Sequence, residues 1–98
     1  MTNSITFIEK EFLLNQLMRS KGAVSLFGPG KSARCVITSF DKDVVVLETT
    51  DVGPNPFASW EEVTASLGYQ GQRLAFSSKV NRVDGRRLHL ALPERLLK

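Results

Sequence analysis

The sequence predicts a mainly β fold, a small six-stranded antiparallel split barrel preceded by one amphipathic helix. From residue 23 onward, short runs of alternating or β-branched apolar residues are separated by segments rich in Gly, Pro and Asp, which is the pattern of strands and turns. Before them lies one segment whose apolar residues recur at three- and four-residue spacing. The 98 residues, 42% of them hydrophobic and 23% charged, suit one globular domain covering residues 1–98.

The helix is predicted at about residues 7–21. Thr6 and Glu9 have the T-x-x-E spacing of a capping box at its start, and Gly22 is a residue type that commonly ends a helix. Its apolar positions form a stripe that we expect to pack against the sheet: Ile8, Phe12, Leu13, Leu17 and Met18.

The first three strands are predicted at about residues 23–27, 33–40 and 44–49. The intervening Gly28-Pro29-Gly30-Lys31-Ser32 resembles the end of a phosphate-binding loop. However, the first glycine of that loop would fall on Ser25, and a strand follows where a helix is needed. We therefore predict a hairpin turn with an exposed Lys31. The second and third strands form a hairpin through Asp41-Lys42-Asp43 and are apolar on both faces, as strands of a covered barrel are.

A loop is predicted at residues 50–58 because two prolines and a glycine fall close together. The stretch after it supports two interpretations. Ser59 and Glu62 have capping-box spacing, which would start a short helix at Trp60. Residues 62–69 alternate between apolar and polar side chains, which is strand periodicity, and we favour this strand.

The last two strands, predicted at about residues 73–80 and 86–92, form the clearest hairpin of the chain. Asp84-Gly85 lies between them, a pair that accepts the positive φ angles of a type I′ turn. Pro93 ends the final strand because it lacks a backbone N–H. His89 lies between leucines on an alternating strand and is predicted to face outward without a chemical role.

The C-terminal third is basic, since residues 72–98 contain seven Lys or Arg and two acidic residues in a chain of net charge +3. Clustered cations attract anions. Its arginines are therefore candidate anion- or nucleotide-binding residues, with a solvated strand face as the alternative: Arg82, Arg86, Arg87 and Arg95. The candidate partner-binding residues are Phe57 and Trp60, although we favour a hydrophobic plug beneath their loop.

Catalytic chemistry has little support in the sequence. One His, one Cys and scattered carboxylates give no metal-ligand spacing and no nucleophile with a base, so we expect no enzyme, catalytic residue, metal or cofactor. Cys35 lies in a strand-like run and is predicted to be buried and unreactive. The N-terminus lacks a basic region followed by an apolar core, and no 18 consecutive residues are apolar. We therefore expect a cytoplasmic protein without membrane insertion.

The order of these elements carries a family resemblance over nearly the whole chain. A helix, A-V-S-L-F, a glycine turn, a strand ending in F-D-K-D, V-V-V-L-E, a proline-rich loop and L-H-L-A-L-P follow one another. This order resembles the N-terminal domain of flagellar-brake-type PilZ proteins. In that family the barrel is followed by an R-x-x-x-R linker and a PilZ domain with D/N-x-S-x-x-G. Together they bind cyclic di-GMP and control flagellar motility or surface behaviour.

The resemblance implies a non-enzymatic regulatory module that contacts a protein partner or a C-terminal PilZ domain. Cyclic di-GMP is implied as a ligand only where a PilZ domain follows. No D/N-x-S-x-x-G occurs here, and the chain ends about where the arginine linker would begin. Arg82 and Arg86 satisfy R-x-x-x-R, but they straddle a tight hairpin, so we interpret the match as a coincidence. We expect the N-terminal half of a receptor, or a stand-alone relative acting through protein contacts.

A second resemblance covers only the first half of the chain. FLLNQL, AVSLF and ITSFDKDVVVL resemble the helix and first Sm motif of the Sm-like RNA chaperone Hfq. In that family the helix packs on a five-stranded barrel, and subunits form a ring that binds RNA. The second half departs from the pattern because it has no K-H-A segment and its loop at residues 50–58 is long. A ring-forming RNA binder is therefore the alternative function, and RNA the less favoured partner.

Overall fold

The structure, a computed structural model, describes residues 7–69 and 71–93. The described chain contains one helix and six strands, so the predicted fold class is confirmed. In chain order the elements are α1 (Phe7–Ser20), β1 (Val24–Gly28), β2 (Lys31–Phe40), β3 (Val44–Thr49), β4 (Glu62–Tyr69), β5 (Gln72–Asp84) and β6 (Arg87–Ala91). α1 falls short of the length and apolar character that a membrane-spanning helix needs, and no other helix is described.

The six strands close into a barrel in the order β1-β2-β3-β6-β5-β4, and every neighbouring pair is antiparallel. Four pairs join strands that follow each other along the chain. The other two, β3 with β6 and β1 with β4, join distant strands and close the sheet. A five-stranded Sm-like barrel is therefore not the architecture of the described chain.

The barrel interior is filled by the inward-facing residue of each alternating pair. The buried apolar residues come from all seven elements, from the loop between β3 and β4, and from the segment after β6: Leu13, Leu14, Val24, Leu26, Ala33, Cys35, Ile37, Val45, Leu47, Phe57, Val63, Ala65, Leu67, Leu74, Phe76, Val80, Leu88, Leu90 and Leu92. β4 occupies residues 62–69, as the alternation predicted, and the short helix at Trp60 is not formed. His89 is half-buried and lies between the buried Leu88 and Leu90, so it faces outward as predicted.

α1 packs against β2 and contributes Leu13 and Leu14 to the core. The prediction that Phe12 belongs to the buried stripe is wrong, because its side chain is 61% exposed. At about 100° per residue, Phe12 lies on nearly the opposite side of the helix from Leu17 and Leu14. Lys10 lies on the buried side instead.

The C-terminus of α1 differs in one detail from the prediction. Gly22 N–H donates to the carbonyl of Leu17 at 3.0 Å, which is the six-to-one bond of a Schellman motif. The left-handed residue of the motif is Lys21, with φ of 55°, and not a glycine. A Cβ on Gly22 would lie 2.6 Å from Leu17 Cδ2, so a larger residue there would displace the end of the Leu17 side chain. The predicted capping pair, Thr6 and Glu9, lies outside the part of the chain whose side chains are described.

The last hairpin is longer than predicted. β5 continues to Asp84, past a register shift between Val80 and Arg82, because its end pairs with β6. Asp84 pairs with Arg87, so the two turn residues are Gly85 and Arg86. Among the described residues of this turn, positive φ occurs at Gly85, at 64°, and not at Arg86. That pattern belongs to a type II′ turn, so the predicted type I′ turn at Asp84-Gly85 is wrong.

Candidate functional site

The loop between β3 and β4, residues 50–61, is fastened to the barrel by Lys31. Lys31 Nζ donates to the Pro56 carbonyl at 3.1 Å, forms an ion pair with Glu61, and lies 5.3 Å from the centre of the Phe57 ring. One cation at the start of β2 thereby holds three positions of the loop. The prediction of an exposed Lys31 is wrong, because these three contacts leave its side chain 28% exposed.

Glu61 closes the same loop from its other end. Its carboxylate accepts a hydrogen bond from Lys31 and another from the backbone N–H of Ala58, at 2.6 Å. The Lys31 hydrogen bond, followed by the Ala58 bond, lowers the pKa of Glu61 below its usual value. These two hydrogen-bond donors therefore stabilise the charged carboxylate of Glu61 in the folded loop.

Phe57 is the plug of the loop. Its side chain is 4% exposed and lies against Gly28, where a Cβ would approach the ring to 3.0 Å. Asn55 Oδ1 accepts the Phe57 N–H at 3.0 Å, which fixes the backbone as the chain enters the barrel opening. The predicted hydrophobic plug beneath the loop is therefore formed by Phe57. Its ring is buried and is not accessible to a partner.

Trp60 has the opposite placement. Its side chain is 70% exposed and its φ is +71°, in the left-handed region that bulky residues rarely adopt. The surrounding backbone enforces this conformation. Trp60 N–H donates to the Val80 carbonyl at 2.6 Å, and Val80 N–H donates to the Glu61 carbonyl at 2.9 Å. Trp60 is therefore a large apolar side chain exposed to solvent on a backbone held by two hydrogen bonds to Val80.

A groove of about 720 Å³ begins two residues after Trp60. We call it the β1–β4–β5 groove; its lining residues are Phe27, Gly28, Pro29, Glu62, Val63, Thr64, Ser77, Ser78 and Lys79. Phe27, Thr64 and Ser77 form one row across the outer surface, since Phe27 pairs with Thr64 and Thr64 with Ser77. Phe27 is 48% exposed, so this surface combines one apolar ring with hydroxyl groups.

Two of the candidate arginines bind to their own barrel. The Arg86 guanidinium donates through Nη2 to the carbonyl of Asp51, and Arg87 Nε donates to Glu48 Oε1 at 3.2 Å. Asp51 in turn accepts the Arg34 N–H through Oδ2, at 2.9 Å. The Arg86 bond joins the start of the loop at residues 50–61 to the turn before β6, and the Arg34 bond joins it to β2.

Arg82 differs from them. The register shift in β5 places it on the outer surface beside its cross-strand partner His89, and its side chain is exposed. Within residues 7–69 and 71–93, its guanidinium forms no hydrogen bond or ion pair. Arg95 lies outside the described residues. The structure thus places Arg82, Arg86 and Arg87 on one hairpin and leaves Arg82 available.

Cys35 is buried in the barrel, as predicted. Burial, and secondarily the nearby charge of Asp51, raises the pKa of its thiol to about 12. At neutral pH the thiol is protonated and shielded, so it is not a nucleophile. Nowhere in the described ranges do three His, Cys, Asp or Glu residues gather in a way that could hold a metal ion.

The barrel with its packed helix is a fold found in a cyclic di-GMP-dependent regulator. The solved apo structure of MrkH from K. pneumonia matches with a TM-score of 0.79 at 17% identity, covering 99% of this chain and 43% of that chain. The MrkH complex with c-di-GMP matches with a TM-score of 0.74 at 18% identity, covering 93% and 40%. A third structure, described as MrkH, a novel c-di-GMP dependence transcription regulatory factor, gives 0.75 at 19%, covering 98% and 42%.

This chain therefore spans about two fifths of the length of MrkH. At these identities the likeness shows a common fold and carries no residue roles. No protein-family model and no curated protein matches the sequence.

Proposed function

We propose that the chain is a non-enzymatic regulatory and protein-interaction module of cyclic di-GMP signalling, acting in the cytoplasm. The observation that supports this most strongly is the fold likeness to MrkH, a cyclic di-GMP-dependent transcription regulatory factor, over 99% of the chain. The family resemblance in the sequence supports the same signalling system. On this proposal residues 1–98 are one PilZ-N-like domain that influences motility or surface behaviour.

The module lacks the complete ligand motif, since D/N-x-S-x-x-G is absent from its 98 residues. Arg86 and Arg87 are held by Asp51 and Glu48, which reduces their availability to a phosphate. Arg82 and Arg95 are the remaining candidates for an anion contact. We propose that cyclic di-GMP is bound only together with a PilZ domain, and that protein contacts carry the function of this chain.

Trp60 is the proposed centre of the protein contact. An exposed tryptophan is the side chain most often found at the energetic centre of an interface. Because the hydrogen bonds to Val80 fix its backbone, little conformational entropy is lost when a partner covers it. The β1–β4–β5 groove begins two residues away and extends the surface with Phe27 and the hydroxyl groups of Thr64 and Ser77.

The ligand part of this proposal is tested by calorimetric titration of the purified chain with cyclic di-GMP. We expect no tight binding, because the guanidiniums on the hairpin do not form a complete site. Saturable binding that is lost in the Arg82→Ala, Arg86→Ala double variant would overturn the assignment of ligand binding to another domain.

The regulatory part is tested in host cells whose cyclic di-GMP level is set by an inducible diguanylate cyclase. Deleting the gene should alter the response of swimming or surface attachment to cyclic di-GMP, and the wild-type gene should restore it. A Trp60→Ala gene should fail to restore the response although the protein is present, whereas Trp60→Phe should restore much of it. An unchanged response after deletion would reject the proposal.

A further inference from the structure

The outer surface of β5 carries a row of cations. The hairpin formed by β5 and β6 contains five Arg or Lys residues and one carboxylate, Asp84. Two of these cations are held by the barrel itself. The other three, Arg73, Lys79 and Arg82, are exposed on β5. In the part of the chain that the structure describes, their side chains form no hydrogen bond or ion pair, so their charges are available to a ligand.

These cations lie on the solvent side of one strand. Leu74, Phe76 and Val80 of β5 are buried in the barrel, so the residues that alternate with them point outward. The register shift after Val80 leaves Arg82 exposed, opposite His89. At about 3.3 Å per residue, the row is about 30 Å long. We call four outward-facing residues of this strand the β5 track: Arg73, Ser77, Lys79 and Arg82.

The β1–β4–β5 groove lies beside the middle of the β5 track. Ser77 and Lys79 line the groove, and Phe27 lies two strands from Ser77 in the same cross-strand row, with Thr64 between them. Neighbouring strands are about 4.8 Å apart, so Phe27 and Ser77 are about 10 Å apart across the sheet. The Phe27 side chain is 48% exposed, and its cross-strand neighbours Ser32 and Thr64 carry hydroxyl groups.

These groups match the parts of a single nucleic-acid strand. Phosphate contacts in complexes with nucleic acids come from Arg, Lys and the hydroxyl groups of Ser and Thr. Proteins that bind single strands combine such cations with aromatic rings on which bases stack. A nucleotide whose base lies on Phe27 has its sugar over Thr64 and its phosphate near Ser77 or Lys79. The track and the ring therefore suit the same ligand.

We propose that the β5 track and Phe27 bind single-stranded nucleic acid, with phosphates along β5 and a base on the Phe27 ring. An acidic protein segment would also meet the cations, but the centre of a protein interface is apolar, whereas hydroxyl groups surround Phe27. The bases of a duplex are paired and stacked on each other, so they do not reach the ring. The inference goes beyond the proposed function and needs neither cyclic di-GMP nor a protein partner.

Two carboxylates near the track limit its affinity. Glu62 lies opposite Lys79 on β4, and Asp84 follows Arg82 on the same side of β5. For single strands, log K falls with log salt concentration by about 0.7 for each phosphate contact, so three contacts give a slope of about −2. We therefore expect binding that is weak, sensitive to salt and largely independent of base sequence.

Fluorescence anisotropy of labelled single strands of about ten nucleotides, as DNA and as RNA, titrated with the purified chain tests the cations. We expect saturable binding at low salt, and tighter binding of either strand identifies the type that the site takes. Lys79→Gln should make the salt slope shallower by about 0.7, whereas Lys42→Gln, at an exposed turn position, should not. No binding at low salt, or equal effects of the two substitutions, would reject the track.

Phe27→Ala tests the stacked base. It should weaken binding at least about fivefold and leave the salt slope unchanged, because a base contact is lost and no phosphate contact is. Phe12→Ala is the matched control, since Phe12 is also an exposed phenylalanine but lies on α1. Equal effects of the two substitutions would exclude stacking on Phe27. A duplex of the same sequence, or polyglutamate of similar length, that binds as tightly as the single strand would overturn the assignment.

Discussion

Trp60 holds a backbone conformation that a residue with a large side chain adopts only at a cost. The left-handed region costs an L-residue about 1–2 kcal/mol, because its Cβ approaches the following carbonyl. The hydrogen bonds between Trp60, Glu61 and Val80 keep the residue there. Backbone strain of this kind is found most often at functional positions, which agrees with the proposal that Trp60 is a contact residue.

Comparing two substitutions at this residue measures that cost. Trp60→Gly and Trp60→Ala both remove the exposed indole, but only glycine adopts φ of +71° without strain. We expect the glycine variant to be more stable than the alanine variant by about 1 kcal/mol. Urea unfolding of both variants checks this. Equal midpoints would mean that Trp60 is not strained in solution.

Glu61 gives the loop at residues 50–61 a dependence on pH. Because the pKa of Glu61 is lowered in the folded chain, its charge stabilises the fold above the unfolded-state pKa of about 4.3. That stabilisation is lost as the pH falls through the lower, folded-state pKa. Glu61→Gln keeps an acceptor for Ala58 N–H but loses the ion pair with Lys31.

We therefore expect wild type to exceed Glu61→Gln in stability at neutral pH, and the difference to disappear as the pH falls through the folded-state pKa of Glu61, which lies below the unfolded-state value. Urea midpoints over a pH series measure it. Glu62→Gln is the control, because within the described chain Glu62 forms no ion pair, and its difference from wild type should not vary in this way. A difference that persists at low pH would argue against the ion pair.

At the scale of secondary structure, the end of α1 depends on the close approach of Gly22 to Leu17. A Cβ at Gly22 would lie 2.6 Å from Leu17 Cδ2, and Gly22 does not have a positive φ, so the cost of a side chain is steric. Because the clashing atom is the terminal methyl group of the half-buried Leu17 side chain, which can shift, we expect Gly22→Ala to destabilise the chain by only about 1 kcal/mol. Chemical unfolding measures it.

Two further variants identify the cause. Gly68→Ala is the control, because a Cβ there would meet only Arg73 Nη1, at 3.9 Å. It should be close to neutral. Adding Leu17→Ala to Gly22→Ala removes the clashing atom, so the second substitution should cost less in that background. Equal costs of Gly22→Ala with and without Leu17 would exclude this clash.

Local sequence patterns predicted the helix and strands but misplaced several ends. A run of β-branched apolar residues located β3 at the observed residues, and alternation located β4, because that strand has one face in the core. β5 extends to Asp84 because its end pairs with β6. The sequence of residues 81–84 does not itself predict this extension. Phe12 fitted the three- and four-residue spacing, yet the side of α1 that packs on β2 contains Leu14 and leaves Phe12 exposed. The spacing alone does not determine which side of the helix is buried.

The candidate site was less predictable than the fold. Phe57 and Trp60 are close in sequence and similar in hydrophobicity, and no local signal separates the buried ring from the exposed one. Phe57 is buried because it packs against Gly28 and Lys31, which lie at the turn between β1 and β2 and are distant in sequence. Trp60 stays exposed because its backbone is hydrogen-bonded to Val80. Lys31 was predicted to lie in the turn before the second strand but is the first residue of β2, and its three loop contacts arise only after folding.

At the scale of the whole molecule, the barrel depends on contacts between residues far apart in the chain. The hairpins β1–β2, β2–β3, β4–β5 and β5–β6 form between consecutive strands, whereas closure needs β1 with β4 and β3 with β6. The loop at residues 50–61 is long because it joins β3 to β4, which are not neighbours in the barrel. Lys31 and Arg86 hold opposite ends of this loop by hydrogen bonds. These contacts therefore support the closed barrel and also the exposed position of Trp60.

Lys10 connects α1 with the residues that follow β6, which lie 83 positions further along the chain. Its side chain is 2% exposed, and Nζ donates to the carbonyl of Pro93 at 2.8 Å. Leu92 N–H donates to the Asp43 carbonyl at 2.8 Å, so the chain leaving β6 is held both by the β2–β3 turn and by the helix. This arrangement couples the position of α1 to that of the last described residues.

Lys10→Met tests this coupling, since methionine retains the apolar stem but removes the donor to Pro93. Losing a buried hydrogen bond to a charged group should destabilise the chain by about 1.5–3 kcal/mol. Amide exchange should accelerate both in α1 and at Leu92, because each end loses its contact with the other. Lys42→Met, at an exposed position of the β2–β3 turn, should change neither quantity. Faster exchange in α1 alone would show that Lys10 stabilises its own helix without connecting it to the end of the barrel.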